Sequence, residues 1–201
     1  MTVLPVTTRP SKREKELAAS LVFDTHWTEE AYLAISDLNR ILELSEGRLV
    51  IHDMPVPEHQ RIVRNLSRKL EDWATGHRAG EVLFAPMPVR LWPGKFREPD
   101  VVFYLAEHAD RVGERFGEAP DLVAEVLSPT ATQTDREDKF SEYAQAGIPE
   151  YWIIDPDKRT VEMFVLEDDQ YALQARLRPG QAAHSTLLPD FEVAVDDVFG
   201  T

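Results

Sequence analysis

The sequence predicts one α/β domain of mixed α+β type, in which helices flank a central, curved, mixed β-sheet. Segments with helical and with strand-like hydrophobic spacing follow in the order helix, strands, helix, strands, without the regular alternation of a doubly wound fold. The chain has 201 residues, 43% of them hydrophobic, which is enough for a core of its own. No apolar run approaches the roughly 18 residues that a membrane-spanning helix needs.

The N-terminal segment differs from the rest of the chain. Residues 1–20 are polar and contain two prolines and the charged run KREKE. They lack the apolar stretch that precedes the cleavage site of a secretory signal. We therefore expect a flexible arm over residues 1–20 and a single domain over residues 21–201.

The first half of the domain reads as helix, hairpin, helix. Thr28 can cap a helix over 27–38, and Glu46-Gly47 is typical of the turn of a hairpin over 41–54. A second helix begins at Pro57 and is expected to end at Gly76 or Gly80. Its apolar residues recur at helical spacing, which predicts that one face packs on a core: Ile62, Val63, Leu66, Leu70 and Trp73.

The second half is richer in strands. Three strands are predicted in EVLFAPMPVRLW, REPDVVFYL and DLVAEVL, followed by a helix in TQTDREDKFSEYAQAG. Thr134 and Glu137 have the spacing of a capping box, and Gly147 is a C-terminal stop signal. PEYWIIDP, TVEMFVL and YALQARL read as consecutive strands, and the remaining tail as a loop with a short terminal element.

Composition and motifs narrow the function. There are 36 Asp and Glu against 22 Lys and Arg, a net charge of −14, which disfavours an extended phosphate-binding surface. The absence of cysteine excludes disulfides, thiolate metal sites and cysteine nucleophiles, and it suits a reducing cytoplasm. The chain has no GxGxxG, GxxxxGK[ST], GxSxG or HExxH pattern.

Two acids in or beside apolar strands are the strongest functional signal. Asp100 precedes VVF and Glu125 interrupts LVAEVL. An isolated buried carboxylate costs several kcal/mol, so such residues are usually paired or bind a cation. Each alone is also explained as a turn acceptor or as a solvent-facing strand residue. Together they favour a site for a hard divalent cation such as Mg²⁺.

Two helices bring further candidates. Lys139 lies one turn from Asp135 and one turn from Tyr143, so it either approaches the carboxylates or forms an exposed pair with Asp135. Glu58 and His59 open the second helix on its packed side. They either join the acidic cluster or serve as a favourable N-terminal charge and a hydrogen-bonded histidine at the edge of the core.

An ordered set of segments resembles the Uma-two family of the PD-(D/E)XK restriction-endonuclease-like superfamily. The segments run through nearly the whole chain after the arm: ELSEGRLV, PVPEHQRIVRNL, VLFAPMPVRL, REPDVVF, APDLVAEVLSPTATQTDREDKFSEYAQAGIPEYWIIDP and LLPDFEV. The resemblance implies a restriction-endonuclease-like core with its active site at one edge of the sheet. It also implies phosphodiester hydrolysis that depends on Mg²⁺ or Mn²⁺.

The resemblance also implies roles for individual residues. Asp100 matches the Asp of the PD motif and Glu125 the acid of the (D/E)XK motif. No lysine follows two residues later, and Lys139 on the next helix matches the family's displaced lysine. Glu58 and His59 match the family's EHQ segment. By the same likeness the Val126 carbonyl is expected to add a metal ligand, and Tyr143 to hydrogen-bond near the site.

The expected activity is thus that of a metal-dependent endonuclease acting on nucleic acid, DNA more than RNA. Two alternatives stay open: a non-catalytic binding or assembly protein on a nuclease fold, and a metal-dependent hydrolase of small phosphate esters, which would suit the acidic surface. Exposed hairpin edges such as TVEMFVL also suggest a homodimer.

Overall fold

The structure is a computed structural model that describes residues 26–35, 41–52, 54–128 and 133–200, with only the backbone of residues 133–135. The expected arm over 1–20 lies outside the described residues. Mixed α+β architecture is confirmed. The strands are divided between a five-stranded sheet, a six-stranded sheet and a two-stranded hairpin, so the single central sheet of the prediction is joined by a second large sheet.

The first large sheet contains the predicted N-terminal hairpin. Helix α1 (Glu29–Leu33) is capped by the Thr28 side chain, and strands β1 (Leu42–Ser45) and β2 (Arg48–Ile51) follow it. The turn between them has Glu46 and Gly47 at φ 51° and 78°, a left-handed conformation that glycine adopts without a steric cost.

Helix α2 (Pro57–His77) starts at the predicted proline and packs on the six-stranded sheet. Its residues at positions 62, 63, 66 and 70 are buried in the core, as their helical spacing predicts. The helix ends at His77, between the two glycines expected to stop it, because Arg78 adopts the left-handed conformation at φ 52° and caps it.

The predicted strand EVLFAPMPVRLW is wrong, because it is two strands that belong to different sheets. Strand β3 (Gly80–Phe84) is the edge of the six-stranded sheet, and β4 (Val89–Trp92) lies in the five-stranded sheet. Pro86 and Pro88 separate them, and prolines cannot donate the hydrogen bonds of a continuous strand.

The predicted strand REPDVVFYL is divided in the same way. Strand β5 (Lys95–Arg97) pairs with β1, and β6 (Val101–Leu105) pairs with β3. Residues 98–100 therefore cross from one large sheet to the other, and Asp100 lies on this crossing.

The remaining elements complete both sheets. The 3₁₀ helix Ala106–Arg111 leads to β7 (Gly117–Glu118), which pairs with β4. They are followed along the chain by β8 (Leu122–Val126), α3 (Gln133–Gln145), β9 (Glu150–Asp155), β10 (Thr160–Glu167), β11 (Gln170–Leu177), β12 (Ala182–His184), β13 (Glu192–Ala194) and α4 (Val195–Phe199).

The six-stranded sheet has the order β11-β10-β9-β8-β6-β3 and is mixed, because β8 and β9 are parallel whereas its other neighbours are antiparallel. TVEMFVL forms β10, which pairs with β9 on one side and β11 on the other. It is therefore not an exposed edge, and the prediction that this strand offers a pairing edge for a homodimer is wrong. The edges of this sheet are β11 and β3.

Both faces of the six-stranded sheet are covered, and this determines where the site residues point. Leu122, Ala124 and Val126 of β8 pack in the core below α2, whereas Val123 packs in the core on the α3 side. Because side chains alternate along a strand, Glu125 shares the face of Val123 and points towards α3. No described helix is long and apolar enough to cross a membrane.

Candidate active site

Asp100 is buried where the chain crosses between the two large sheets. Its Oδ2 accepts a hydrogen bond from the Val126 backbone N–H at 2.7 Å and contacts His59 Nε2 at 3.1 Å. The carboxylate is thus fixed between strand β8 and the first turn of α2. A single carboxylate oxygen receives both contacts, which holds the group in one orientation.

Glu125 lies on the strand next to Asp100. The β6–β8 register pairs Val101 with Ala124, and its continuation places Asp100 opposite Glu125. The Glu125 carboxylate accepts a hydrogen bond from the Tyr143 hydroxyl at 2.6 Å and contacts Lys139 Nζ at 3.1 and 3.2 Å. Four of the residues selected from the sequence therefore meet around one point.

The electrostatics of Glu125 indicate a site short of positive charge. Burial raises the pKa of the Glu125 carboxyl, and the neighbouring Asp100 charge raises it further. The Lys139 ammonium and the Tyr143 hydrogen bond oppose both effects without cancelling them. The Lys139 ammonium does not offset the effect of burial on Glu125, so a further cation at this point would be favourable.

Helix α3 supplies both partners of Glu125. Lys139 and Tyr143 are four residues apart, one turn of the helix, and so they project from the same side. The Tyr143 side chain is fully buried and its ring packs edge-on against Tyr151 of β9. This packing fixes the helix against the sheet, so that the hydroxyl and the ammonium reach Glu125.

The two candidates at the start of α2 have different surroundings. His59 is buried; burial alone would lower the pKa of its imidazole, but the hydrogen bond to Asp100 and the charges of Asp100 and Glu125 outweigh this and raise it. Among the described residues its Nδ1 has no hydrogen-bond partner. Glu58 is exposed, and no hydrogen bond or ion pair within the described residues joins it to the carboxylates, so only His59 is brought into contact with them.

Sequence reasoning missed a further buried acid close to this site, Glu43 of β1. Its carboxylate pairs with the Arg97 guanidinium and with His52 Nε2 at 2.8 Å, and it lies 3.8 Å from Lys139 Nζ. Burial alone would raise the pKa of this carboxyl, but Lys139, His52 and Arg97 together hold it well below its usual range. The signal was available, because ILEL places a glutamate in an apolar run just as LVAEVL does.

The residues around Glu43 form a buried charged cluster that joins the five-stranded sheet to α3. Glu142 of α3 pairs with Lys95 and, at 2.7 Å, with Arg97 Nε. Glu98 is buried close by; burial, reinforced by the Glu43 charge, raises the pKa of its carboxyl to about 7. The cations of β5 are therefore already paired with carboxylates inside the protein.

The number and type of ligand atoms show whether the carboxylates fit a metal ion. No group of three or more histidine, aspartate or glutamate side chains is arranged to hold a metal ion in the described part of the chain. Two carboxylates nevertheless fit Mg²⁺, which usually takes one or two protein carboxylates and completes its shell with water and phosphate oxygens. Asp100 and Glu125 meet this requirement, and their excess of negative charge agrees with it.

Comparison with known proteins identifies a similar fold. A solved structure of a protein from Anabaena variabilis, described as a putative nuclease belonging to DUF820, matches with a TM-score of 0.71 at 18% sequence identity. The match covers 87% of this chain and 98% of that one, and at this identity it shows that the two share a fold. No curated protein matches the sequence.

The Uma2 family model, described as "Putative restriction endonuclease", matches residues 29–196. This range includes both large sheets, helices α2 and α3 and every candidate site residue. It extends over most of the chain and confirms the resemblance seen in the sequence. The chain belongs to the Uma2 family.

Proposed function

We propose that this protein is a metal-dependent endonuclease that hydrolyses phosphodiester bonds in nucleic acid, DNA in preference to RNA. The observation that carries the proposal is the meeting of two buried carboxylates, Asp100 just before β6 and Glu125 on the neighbouring strand β8, with the ammonium of Lys139 in contact with Glu125. Family membership and a nuclease-like fold support the same reaction class.

Asp100 and Glu125 would hold Mg²⁺ or Mn²⁺, with the Val126 carbonyl as a candidate third ligand. When bound, the cation supplies Lewis-acid stabilisation of the negative charge on the phosphate. The Val126 N–H and His59 hold the Asp100 carboxylate in one orientation for this task.

The other residues would offset the charge that develops on the phosphate and hold the site residues in place. Lys139 offers the only ammonium in contact with Glu125 among the described residues, and it would offset the charge that develops on the phosphate as water attacks. Tyr143 orients Glu125 through its hydroxyl. In this proposal Glu58, which is exposed beside His59, would contact the substrate or accept a proton from the attacking water at the rim of the site.

A homodimer belongs to the same proposal. Strand β11 is an outer edge of the six-stranded sheet, and Leu173 on it is 48% exposed. Edge strands that expose apolar residues are common pairing surfaces. Sedimentation at micromolar concentration should show a dimer for the wild type and a monomer for Leu173→Lys. A wild-type monomer would remove this part of the proposal.

The activity is tested by a cleavage assay with four substrates. Supercoiled plasmid, single-stranded DNA, RNA and a small aryl phosphodiester are incubated with Mg²⁺, Mn²⁺ or EDTA, using wild type and Asp100→Ala from parallel preparations. We expect plasmid cleavage that requires metal and disappears in the variant. Turnover of the small diester alone would indicate an esterase, and no turnover of any substrate would favour the non-catalytic binding protein.

A further inference from the structure

The ammonium of Lys139 lies between carboxylates from both large sheets. Glu125 of β8 approaches Lys139 Nζ at 3.1 and 3.2 Å, and Glu43 of β1 approaches it from the other sheet at 3.8 Å. The lysine side chain is only 12% exposed, so water contributes little to its solvation. Two anions therefore share one buried cation, and its position depends on both.

Glu43 is itself rigidly held. Its carboxylate accepts hydrogen bonds from the Arg97 guanidinium and the Glu98 backbone N–H, and it contacts His52 Nε2. The side chain is fully buried, with 0% exposure. With partners on several sides it cannot turn away, so it presents a fixed negative charge to Lys139.

The same cluster holds the helix that carries Lys139. Arg97 bridges Glu43 to Glu142, which is three residues after Lys139 on α3. Lys95 adds a second contact to Glu142. The position of the Lys139 backbone relative to β1 and β5 is thus fixed by the partners that fix the Glu43 carboxylate.

We propose that Glu43 is a positioning residue, which holds the Lys139 ammonium at a defined place beside Glu125 and prevents its full capture by that carboxylate. The proposed benefit for catalysis rests on the nuclease function above. If Glu125 were the only anion in reach, Lys139 would neutralise it and compete with a bound cation. The second carboxylate offsets this pull, so Glu125 remains available while the ammonium stays in the site.

Glu43→Gln tests this role because it removes the charge and nearly keeps the shape. Lys139 should then move towards Glu125, and Mn²⁺ should bind about fivefold more weakly than to the wild type. In a Lys139→Ala background the same substitution should leave Mn²⁺ affinity nearly unchanged. If Glu43 acted only through its charge at a distance, the loss of affinity would be the same in both backgrounds.

Glu162 provides a matched control. It is a buried glutamate of β10 that also pairs with two arginines, Arg136 of α3 and Arg176 of β11, but it does not contact Lys139. Glu162→Gln removes a carboxylate that anchors the same helix. It should leave both the Lys139 ammonium and Mn²⁺ affinity as in the wild type.

The deciding experiment observes Lys139 directly and requires neither metal nor activity. Lysine ammonium ¹H–¹⁵N spectra are recorded in EDTA, and the Lys139 signal is assigned by its loss in Lys139→Ala. We expect a slowly exchanging signal at the same chemical shift in the wild type and in Glu162→Gln, and a signal displaced in chemical shift in Glu43→Gln, where Lys139 pairs more closely with Glu125. Glu43→Asp, which keeps the charge but withdraws it by one methylene group, should give a smaller displacement and replaces Glu43→Gln if that variant does not fold.

An unchanged signal when the Glu43 charge is lost, or no protected signal in the wild type, would overturn the positioning role. A wild type that shows the expected spectra but cleaves no substrate would overturn the proposed function and leave the positioning role of Glu43 intact.

Discussion

Glu43 is fully buried, yet its carboxyl has a pKa below the usual range, because Lys139, His52 and Arg97 outweigh the effect of burial. In the unfolded chain a glutamate titrates near about 4.3. Above that pH both states are ionised, and the contribution of Glu43 to folding stability is complete. As the pH falls, the unfolded state takes up a proton first, and the contribution is lost.

Glu43→Gln should therefore reduce the free energy of unfolding most at neutral pH and least under acidic conditions. Urea unfolding of wild type and variant at several pH values between about 7 and 3 measures this difference. We expect the difference in unfolding free energy between wild type and variant to decrease steadily below about pH 5, because the glutamate of the unfolded chain begins to protonate there. A gap that stays constant over the whole range would show that the carboxylate charge does not stabilise the fold.

The hydrogen bond from Tyr143 to Glu125 tests the contribution of an uncharged donor to the same site. Tyr143→Phe removes the hydroxyl that donates to Glu125, at a cost in stability of about 1–2 kcal/mol. Tyr171→Phe is the matched control, because its hydroxyl donates at 2.8 Å to the Ile148 carbonyl, away from the carboxylates. The melting temperature should fall by a similar amount in both variants, whereas only Tyr143→Phe should slow cleavage. Equal activity of the two variants would show that the Tyr143 hydroxyl does not contribute to cleavage.

At the scale of elements, α3 is the part of the fold that assembles the site. It contacts β8 through Lys139 and Tyr143, and it contacts β5 through Glu142. The helix therefore joins the two large sheets at the point where the carboxylates lie. Its hold on β5 depends on an ion-pair cluster whose basic side chains are almost fully buried.

Glu142→Gln should loosen that hold. Lys95 and Arg97 would each lose a carboxylate partner while remaining buried, and we expect unfolding to become easier by about 3 kcal/mol. Amide hydrogen exchange should accelerate in α3 more than in α2. Asp197→Asn, which breaks only an exposed pair with Lys69, should cost less than about 1 kcal/mol. Equal losses for both variants would contradict the anchoring role of Glu142.

Local signals in the sequence account for the elements that were predicted correctly. Helix α2 and the β1–β2 hairpin have strong signals of their own: a proline at the start and helical apolar spacing in one case, Glu46-Gly47 in the other. The division of EVLFAPMPVRLW between two sheets was missed, because strand-like composition continues on both sides of the two prolines. A period of two predicts strands but not the sheet to which each belongs.

Some residues of the candidate site could be identified from the sequence and others could not. Asp100 and Glu125 were identified because an acid in or beside an apolar strand is costly to bury unless it is paired or binds a cation. Glu43 has the same pattern, but the Glu46-Gly47 turn signal beside it led ILEL to be interpreted only as a hairpin strand. Arg97 and Glu142 could not be assigned from sequence, because their roles arise from the contact of α3 with the five-stranded sheet.

At the scale of the whole molecule, the net charge of −14 constrains how nucleic acid can bind. Three cations of the site and the adjoining charged cluster, Lys95, Arg97 and Lys139, are already paired with internal carboxylates. These three are therefore engaged inside the protein rather than available to displace counterions from the phosphate backbone. Binding should therefore depend on a small number of contacts close to the carboxylates rather than on a long basic track.

Fluorescence anisotropy with labelled duplex DNA, using Asp100→Asn to prevent cleavage, measures this dependence. The slope of the logarithm of affinity against the logarithm of salt concentration should be shallower than about −4, which corresponds to fewer than about five phosphates. A slope near −8 would indicate an extensive basic surface and contradict this account of binding.

The most direct test of the central claim compares two buried aspartates. Asp100→Asn and Asp121→Asn each remove one carboxylate, but Asp121 bonds to the Leu105 N–H, His108 and Arg111 at the opposite end of β8. Plasmid cleavage in Mn²⁺ is measured for equal amounts of folded protein. We predict a fall of at least about a hundredfold for Asp100→Asn and near wild-type rates for Asp121→Asn. Equal rates for the two variants would show that the paired carboxylates are not the active site.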